Sequence, residues 1–217
     1  PALAYTTEVG ASRTVNLPDG SVVRLAPLSR IEVAPGYGRP DRAVALTGEA
    51  YFEVRHDAAH PFTVRTATAE VRDLGTTFSV AEGDSGGARV VVTAGSVSLR
   101  PSAGGDAVVL RAGDRGDVSA AGEVRVERGT AGEDDVAWTK GRLVFRDAPI
   151  PEVADALRRW YGITLVVRDP ELARRHLTAS FGTETADEAV QVVAAALGGQ
   201  LQRRGDTASV VPPGGSP

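Results

Sequence analysis

Neither cysteine nor methionine occurs among the 217 residues of this chain. Without thiols it forms no disulfide framework and no thiolate metal centre, and its redox compartment leaves no mark in the composition. A basic excess is missing as well: the net charge is -4, with arginines scattered among aspartates and glutamates. That argues against a surface tracking nucleic-acid phosphates, which needs a basic excess or a clustered basic stripe. No apolar run approaches the roughly 20 residues that span a bilayer. The opening PALAYTTEVG lacks the basic, apolar and small-residue series of a secretory leader. With methionine absent, the start is expected to reflect excision from a longer protein. What remains, 42% hydrophobic and 24% charged, is ordinary for a folded soluble protein of one large or two modest domains.

The positive signal is a strand pattern. In Leu46 to Val80, LTGEAYFEVRHDAAHPFTVRTATAEVRDLGTTFSV, short apolar runs are cut by glycine and proline. Tyr51, Glu53 and Arg55 point one way while Phe52 and Val54 point the other, and Phe62 and Val64 repeat the alternation. Gly48 and Gly75 stand beside these strands, where a bend or close backbone approach favours a residue without Cβ. From Ser12 to Val126 about a dozen short strands follow at spacings of roughly 8 to 12 residues. Leu17-Pro18-Asp19-Gly20-Ser21 reads as a tight turn joining TVN to VVRL. The fold class is therefore mainly β: an all-β domain over residues 1–135 with stacked sheets, arranged as a sandwich or a solenoid-like wrap.

The character changes after Glu133-Asp134-Asp135, which reads as a solvated linker. Pro149 and Pro151 suit only the first turn of a helix, and Val153, Ala156, Leu157, Trp160 and Tyr161 then share one face. Gly162 is a plausible C-terminal cap. The strand ITLVV follows, then Asp169-Pro170 and the strand LTASF. A second helix is announced by Thr185 with Glu188 three residues later, carries Val190, Val193, Ala194 and Leu197, and ends at Gly198-Gly199. Strands over Gln200 to Arg204 and Ala208 to Val211 complete a small α/β domain, 139–211. It has two strand-helix-strand units whose helices are expected to cover one sheet. The tail PPGGSP, 212–217, is expected to be disordered.

No catalytic, cofactor-binding or metal site stands out. Gly83-Asp84-Ser85-Gly86-Gly87 imitates a serine-protease nucleophile loop, with His56 or His60 and Asp73 upstream. The histidines lie too few residues before Ser85 to build the two barrels such a triad needs, and a polar hairpin tip explains the loop. His56 and His60, with Asp57 between them, would need a helix and a third ligand to hold a metal; strands flank them and Pro61 follows. His176 stands in a polar RRH run and reads as solvated. The acidic run lacks the alternating ligands and glycine of a calcium loop. Arg42 and Glu49 are read as a structural pair between neighbouring strands or as a turn hydrogen bond, Trp138 and Trp160 as core anchors, and Arg158 with Arg159 as a solvated helix face that would suit an acidic partner.

Five motifs in register carry a resemblance. They are Leu17-Pro18-Asp19-Gly20-Ser21; Arg42 with Leu46-x-Gly48-Glu49-Ala50-x-Phe52-Glu53-Val54; Pro61-Phe62-x-Val64-x-Thr66; Leu74-Gly75-Thr76-x-Phe78-x-Val80; and Gly95-x-Val97. In this order they resemble the FecR-type anti-sigma regulators of bacterial cell-surface signalling. Trp138-x-x-Gly141-x-Leu143-x-Phe145 and the helix through Tyr161-Gly162 look like the family's C-terminal region, similar to the short signalling domains of secretins and TonB-dependent outer-membrane receptors. The resemblance implies the periplasmic sensor portion of a single-pass inner-membrane protein. Its membrane helix and its cytoplasmic domain, which binds an extracytoplasmic-function sigma factor, would lie outside this sequence. It further implies binding to the periplasmic signalling domain of a TonB-dependent receptor, with proteolysis then releasing the sigma factor. No enzyme activity and no cofactor are implied, and the partner-binding residues stay unassigned. A sheet edge in either domain could accept a partner strand, with the α/β domain expected to supply the main docking surface. The alternative is an envelope binding or structural module using the same β domain without sigma-factor control.

Overall fold

In the computed structural model, which describes residues 3–38, 42–73, 75–83 and 86–214, the chain divides into two compact units, Pro1–Thr139 and Lys140–Pro217. The strands of the first unit are β1 (Leu3–Thr6), β2 (Arg13–Asn16), β3 (Val22–Leu25), β4 (Arg30–Val33), β5 (Arg42–Thr47), β6 (Glu49–Glu53), β7 (Phe62–Arg65), β8 (Ala69–Asp73), β9 (Thr77–Glu82), β10 (Ala88–Ala94), β11 (Ser96–Pro101), β12 (Val108–Arg111), β13 (Arg115–Val118) and β14 (Val124–Glu127). They form two seven-stranded sheets. The first has the order β1-β4-β5-β7-β8-β11-β12, the second β2-β3-β6-β9-β10-β13-β14.

Both orders run with the chain, which settles the choice between sandwich and wrap. The first unit has two sheets around one core, as in a sandwich, and the chain crosses between them as it advances from one end to the other, as in a solenoid. Its signature is the parallel pair β5 and β7, separated in sequence by β6 in the opposite sheet. The other ladders of the unit are antiparallel. The expected turn at Leu17 to Ser21 joins β2 to β3, closed by Leu17 N–H on Ser21 O at 2.9 Å. Strand β1 carried no sequence signal because, at a sheet edge, none of its four residues is fully buried and no alternation develops.

Period-two burial assigns the core. Val23 and Leu25, Ala50 and Phe52, Phe62 and Val64, and Val97 and Leu99 are fully buried, while their neighbours face out. Phe52 stacks on Phe78 at 5.1 Å between centroids, and Phe62 from the facing sheet lies 5.8 Å from Phe52. Each such ring contributes roughly 1.5–3 kcal/mol by leaving water. The chain changes sheet at Gly48, whose φ is 90°. A Cβ there would lie 2.5 Å from Ser29 Oγ, the hydroxyl that accepts the Glu49 N–H.

The second unit contains β15 (Leu143–Pro149), α1 (Ile150–Tyr161), β16 (Thr164–Val167), α2 (Pro170–Ala173), β17 (His176–Phe181), α3 (Ala186–Ala196), β18 (Gln200–Arg204) and β19 (Thr207–Val211). Both long helices are bounded as their residues suggest. Pro151 sits in the first turn of α1 and Gly162 caps its end at φ 68°, while Thr185 and Glu188 close a capping box on α3. The expectation of one covered sheet does not hold. Strands β15 and β17 pair with each other, and β16-β19-β18 form a separate sheet with β16 parallel to β19. The reason is packing: α1 touches β15, β16 and β17, and α3 touches β17 and β18, so each helix meets strands of both sheets. Val153, Leu157, Val190 and Val193 share one cluster with Phe145, Phe181, Ala208 and Val210. Asp169 caps the short α2, an element not expected from the sequence. Of the tail, Pro212–Gly214 shows no strand or helix, and 215–217 lie outside the described residues.

Candidate partner-binding site

Arg42 begins β5 on the inward side of its sheet and is 3% exposed. A buried guanidinium requires acceptors for its fork of donors. Nη1 donates to Asp19 Oδ2 at 2.8 Å and to Arg55 O at 2.8 Å, and Nε donates to His60 O at 2.5 Å. Asp19 in turn accepts the Ser21 N–H and hydroxyl, and the Ser21 hydroxyl accepts the Arg55 N–H. Two of the sequence motifs therefore meet at one point, although they are far apart in the chain. The expected partner of Arg42 was Glu49. The chain turns between sheets at Gly48, one strand length beyond Arg42, so Glu49 belongs to the other sheet and Asp19 takes the role. The buried Tyr37 hydroxyl lies near Asp19 but outside hydrogen-bond geometry; burial, then the Asp19 charge, pushes its ionisation up.

A second buried carboxylate, Asp114, accepts the Arg111 N–H, the Gly129 N–H and Arg128 Nη1, tying the turn after β12 to the end of β14. Burial pulls both Asp19 and Asp114 upward, but their N–H and guanidinium donors outweigh it and hold both below the ordinary 3.8. A lowered folded-state value contributes stability above the unfolded value and loses it as pH falls through the folded one. Asp73, raised by burial, has the opposite sign. The first unit is expected to lose stability below about pH 4, and Asp19→Asn flattens that fall in urea midpoints measured between pH 3 and pH 6.

The other sequence candidates do not converge on chemistry. Gly83 and Gly87 close the β9–β10 hairpin, N–H to carbonyl at 3.0 Å; Asp84 and Ser85 lie outside the described residues. Exposed His60 is held by Asp57 at 3.1 Å, whereas His56 stands against Gly75. No group of three or more potential metal ligands occurs among the described residues. His176 is exposed but partnered, 3.0 Å from Asp147. The acidic run is not a solvated linker. It lies in a 3-10 helix, Glu133–Lys140, in which Asp135 pairs with Arg115 and accepts the Gly132 N–H. Trp138 is buried and Trp160 half-buried. Nor are Arg158 and Arg159 a solvated face: Arg159 is 6% exposed and both side chains have partners.

Four strand edges of the second unit remain as docking candidates. Strand β15 is broken by an irregularity between Phe145 and Ala148, where Asp147 has φ 50°, and its partner β17 faces outward with exposed His176, Thr178 and Ser180. Strand β18 presents Gln200, Gln202 and Arg204, the charged edge that discourages pairing. Strand β16 differs. It is uncharged, forms its sheet's edge, and turns Leu165 and Val167 towards Ala208 and Val210 in the core while half-buried Val166 faces the other side.

Comparison with known proteins defines the class. The first unit matches the FecR protein model over residues 4–98, and the second matches the FecR C-terminal model over residues 142–209. The chain belongs to the FecR family. Two crystal structures of a proposed anti-sigma factor from Parabacteroides distasonis share the fold. One aligns with TM-score 0.86 at 24% identity over 98% of this chain and 100% of that one. The other aligns with TM-score 0.87 at 24% identity over 97% and 99%. No curated protein sequence matches the chain.

Proposed function

We propose that this chain is the periplasmic sensor part of a transmembrane anti-sigma regulator, which binds the signalling domain of a TonB-dependent outer-membrane receptor and relays the signal to an extracytoplasmic-function sigma factor. The observation that carries it is the pairing of both FecR-family regions in one chain. Among the described residues no helix is long and apolar enough to cross a membrane; the anchor and the sigma-binding domain belong to the family expectation.

The docking element is assigned to the α/β unit, along the β16 edge. Backbone groups on that edge supply affinity for an added strand, and Val166 beside it supplies an apolar contact. Isothermal titration of the chain against the isolated signalling domain of the receptor encoded nearest its gene is expected to show saturable one-to-one binding. Val166→Lys, which places a charge on the edge, is expected to weaken it about tenfold or more. An unchanged affinity in Val166→Lys moves the docking site to another edge. No binding at high micromolar concentration, with both proteins folded, favours the envelope module that lacks sigma-factor control.

A further inference from the structure

The outward positions of the first seven-stranded sheet follow from its registers. One row across it reads Ala4, Glu32, Ala45, Arg65, Glu70 and Arg100. The next reads Ala43, Thr63, Arg72, Ser98 and Val109, with Ser96 and Arg111 beyond it. None of these side chains is buried, so the face is open. The second sheet differs, since Ser79 and Val91 on its outward row are each 4% exposed.

Three properties of the open face combine. First, its charge opposes that of the chain: Arg65, Arg72, Arg100 and Arg111 stand on it against two acids, Glu32 and Glu70, in a protein of net charge -4. Glu70 is shared, bonded by Arg100 at 2.7 Å and by Arg65 at 3.2 Å. Exposed Arg72 and Arg111 make no side-chain ion pair or hydrogen bond among the described residues. Second, apart from Glu70 and Val109 the residues beside the arginines are short, alanine, serine and threonine, so the guanidinium groups stand above a low floor. Third, the face has no aromatic residue, and Val109 is its one large aliphatic side chain. A protein interface needs buried aromatic or aliphatic anchors at its centre; attraction to a diffuse layer of phosphate groups needs none and uses the bidentate fork of arginine.

We propose that this face binds an anionic phospholipid surface through Arg72 and Arg111, with Arg65 and Arg100 in support. The proposal stands independently of the receptor-binding reading, because it concerns the other unit and a different kind of ligand. It is tested by co-sedimentation of the whole chain with vesicles of phosphatidylglycerol and phosphatidylcholine at low salt. Binding is expected to the mixed vesicles, to be absent from pure phosphatidylcholine, and to weaken with added salt. Near an anionic membrane each arginine contributes about fivefold in partitioning, so Arg72→Ala with Arg111→Ala is expected to lower it about thirtyfold. Neither side chain has a polar partner among the described residues, so the double variant keeps its fold, which circular dichroism checks. Arg125→Glu, a charge reversal on the other sheet, is expected to change it little. Equal sedimentation with phosphatidylcholine alone, or undiminished binding by the double variant, overturns the proposal. So does capture by immobilised polyglutamate where the anionic vesicles are not bound, which assigns the face to an acidic protein.

Discussion

Replacing Arg42 with alanine is expected to lower the unfolding free energy of the first unit by about 4 kcal/mol, the scale found when one partner of a buried ion pair is removed. The magnitude follows from what is left behind. Asp19 keeps its Ser21 bonds but loses its counter-charge, and the carbonyls of Arg55 and His60 lose their donor inside the end of the sandwich. At 3% exposure, water cannot replace the guanidinium without opening the structure. Arg42→Lys recovers little, because an ammonium is a point donor and cannot reach three acceptors held by a planar fork. Asp19→Asn is milder, about 2 kcal/mol, since an amide oxygen still accepts the Ser21 N–H. The double variant separates the pair from its surroundings: a coupling of about 1–3 kcal/mol between the two sites is expected from urea unfolding. Full additivity would sink the idea that Arg42 holds the motifs together through Asp19.

That network shows where sequence reasoning stops. Period-two alternation separated the two faces of β6 and β7, because burial of a pleated strand is a local property. It could not say that Asp19 meets Arg42, since strand neighbours depend on how the chain winds between sheets. Helix ends in the α/β unit were readable for the same local reason, through Gly162 and the Thr185–Glu188 box. The division of its five strands into two sheets was not, because helices that contact strands of both sheets produce the same strand-helix-strand order as helices on one. Arg159 was misread on similar grounds: charge predicts exposure only until a partner is found in space. Of the candidate site, the motifs were legible and their shared purpose was not. Arg42, Asp19 and Ser21 are motif residues that hold the scaffold, so their presence reports family membership, and the contacts proposed above, Val166, Arg72 and Arg111, all lie outside the motifs.

Gly95 sets the second large effect. It lies at the corner between β10 and β11 with φ 77°, and a Cβ added there would lie 2.0 Å from the carbonyl oxygen of Gly75. Two terms then add. An alanine in the left-handed region costs roughly 1–2 kcal/mol, and overpacking a tight contact costs roughly 1–3 kcal/mol more. The second term is expected near its upper end, because the obstacle is backbone and no rotamer change can move it. Gly95 O also accepts the Ala112 N–H at 3.0 Å, so a shift of this corner strains the neighbouring turn. Gly95→Ala is therefore expected to lower stability by about 4 kcal/mol. In a chain of this length that corresponds to a melting temperature lower by about 10 °C. Gly129→Ala isolates the conformational part, since Gly129 has φ 67° and no atom within 4 Å of its added Cβ. It should cost only about 1–2 kcal/mol in the same thermal scan. Equal losses at the two positions would mean that the close approach of Gly75 and Gly95 is not what selects glycine at the Gly95-x-Val97 motif.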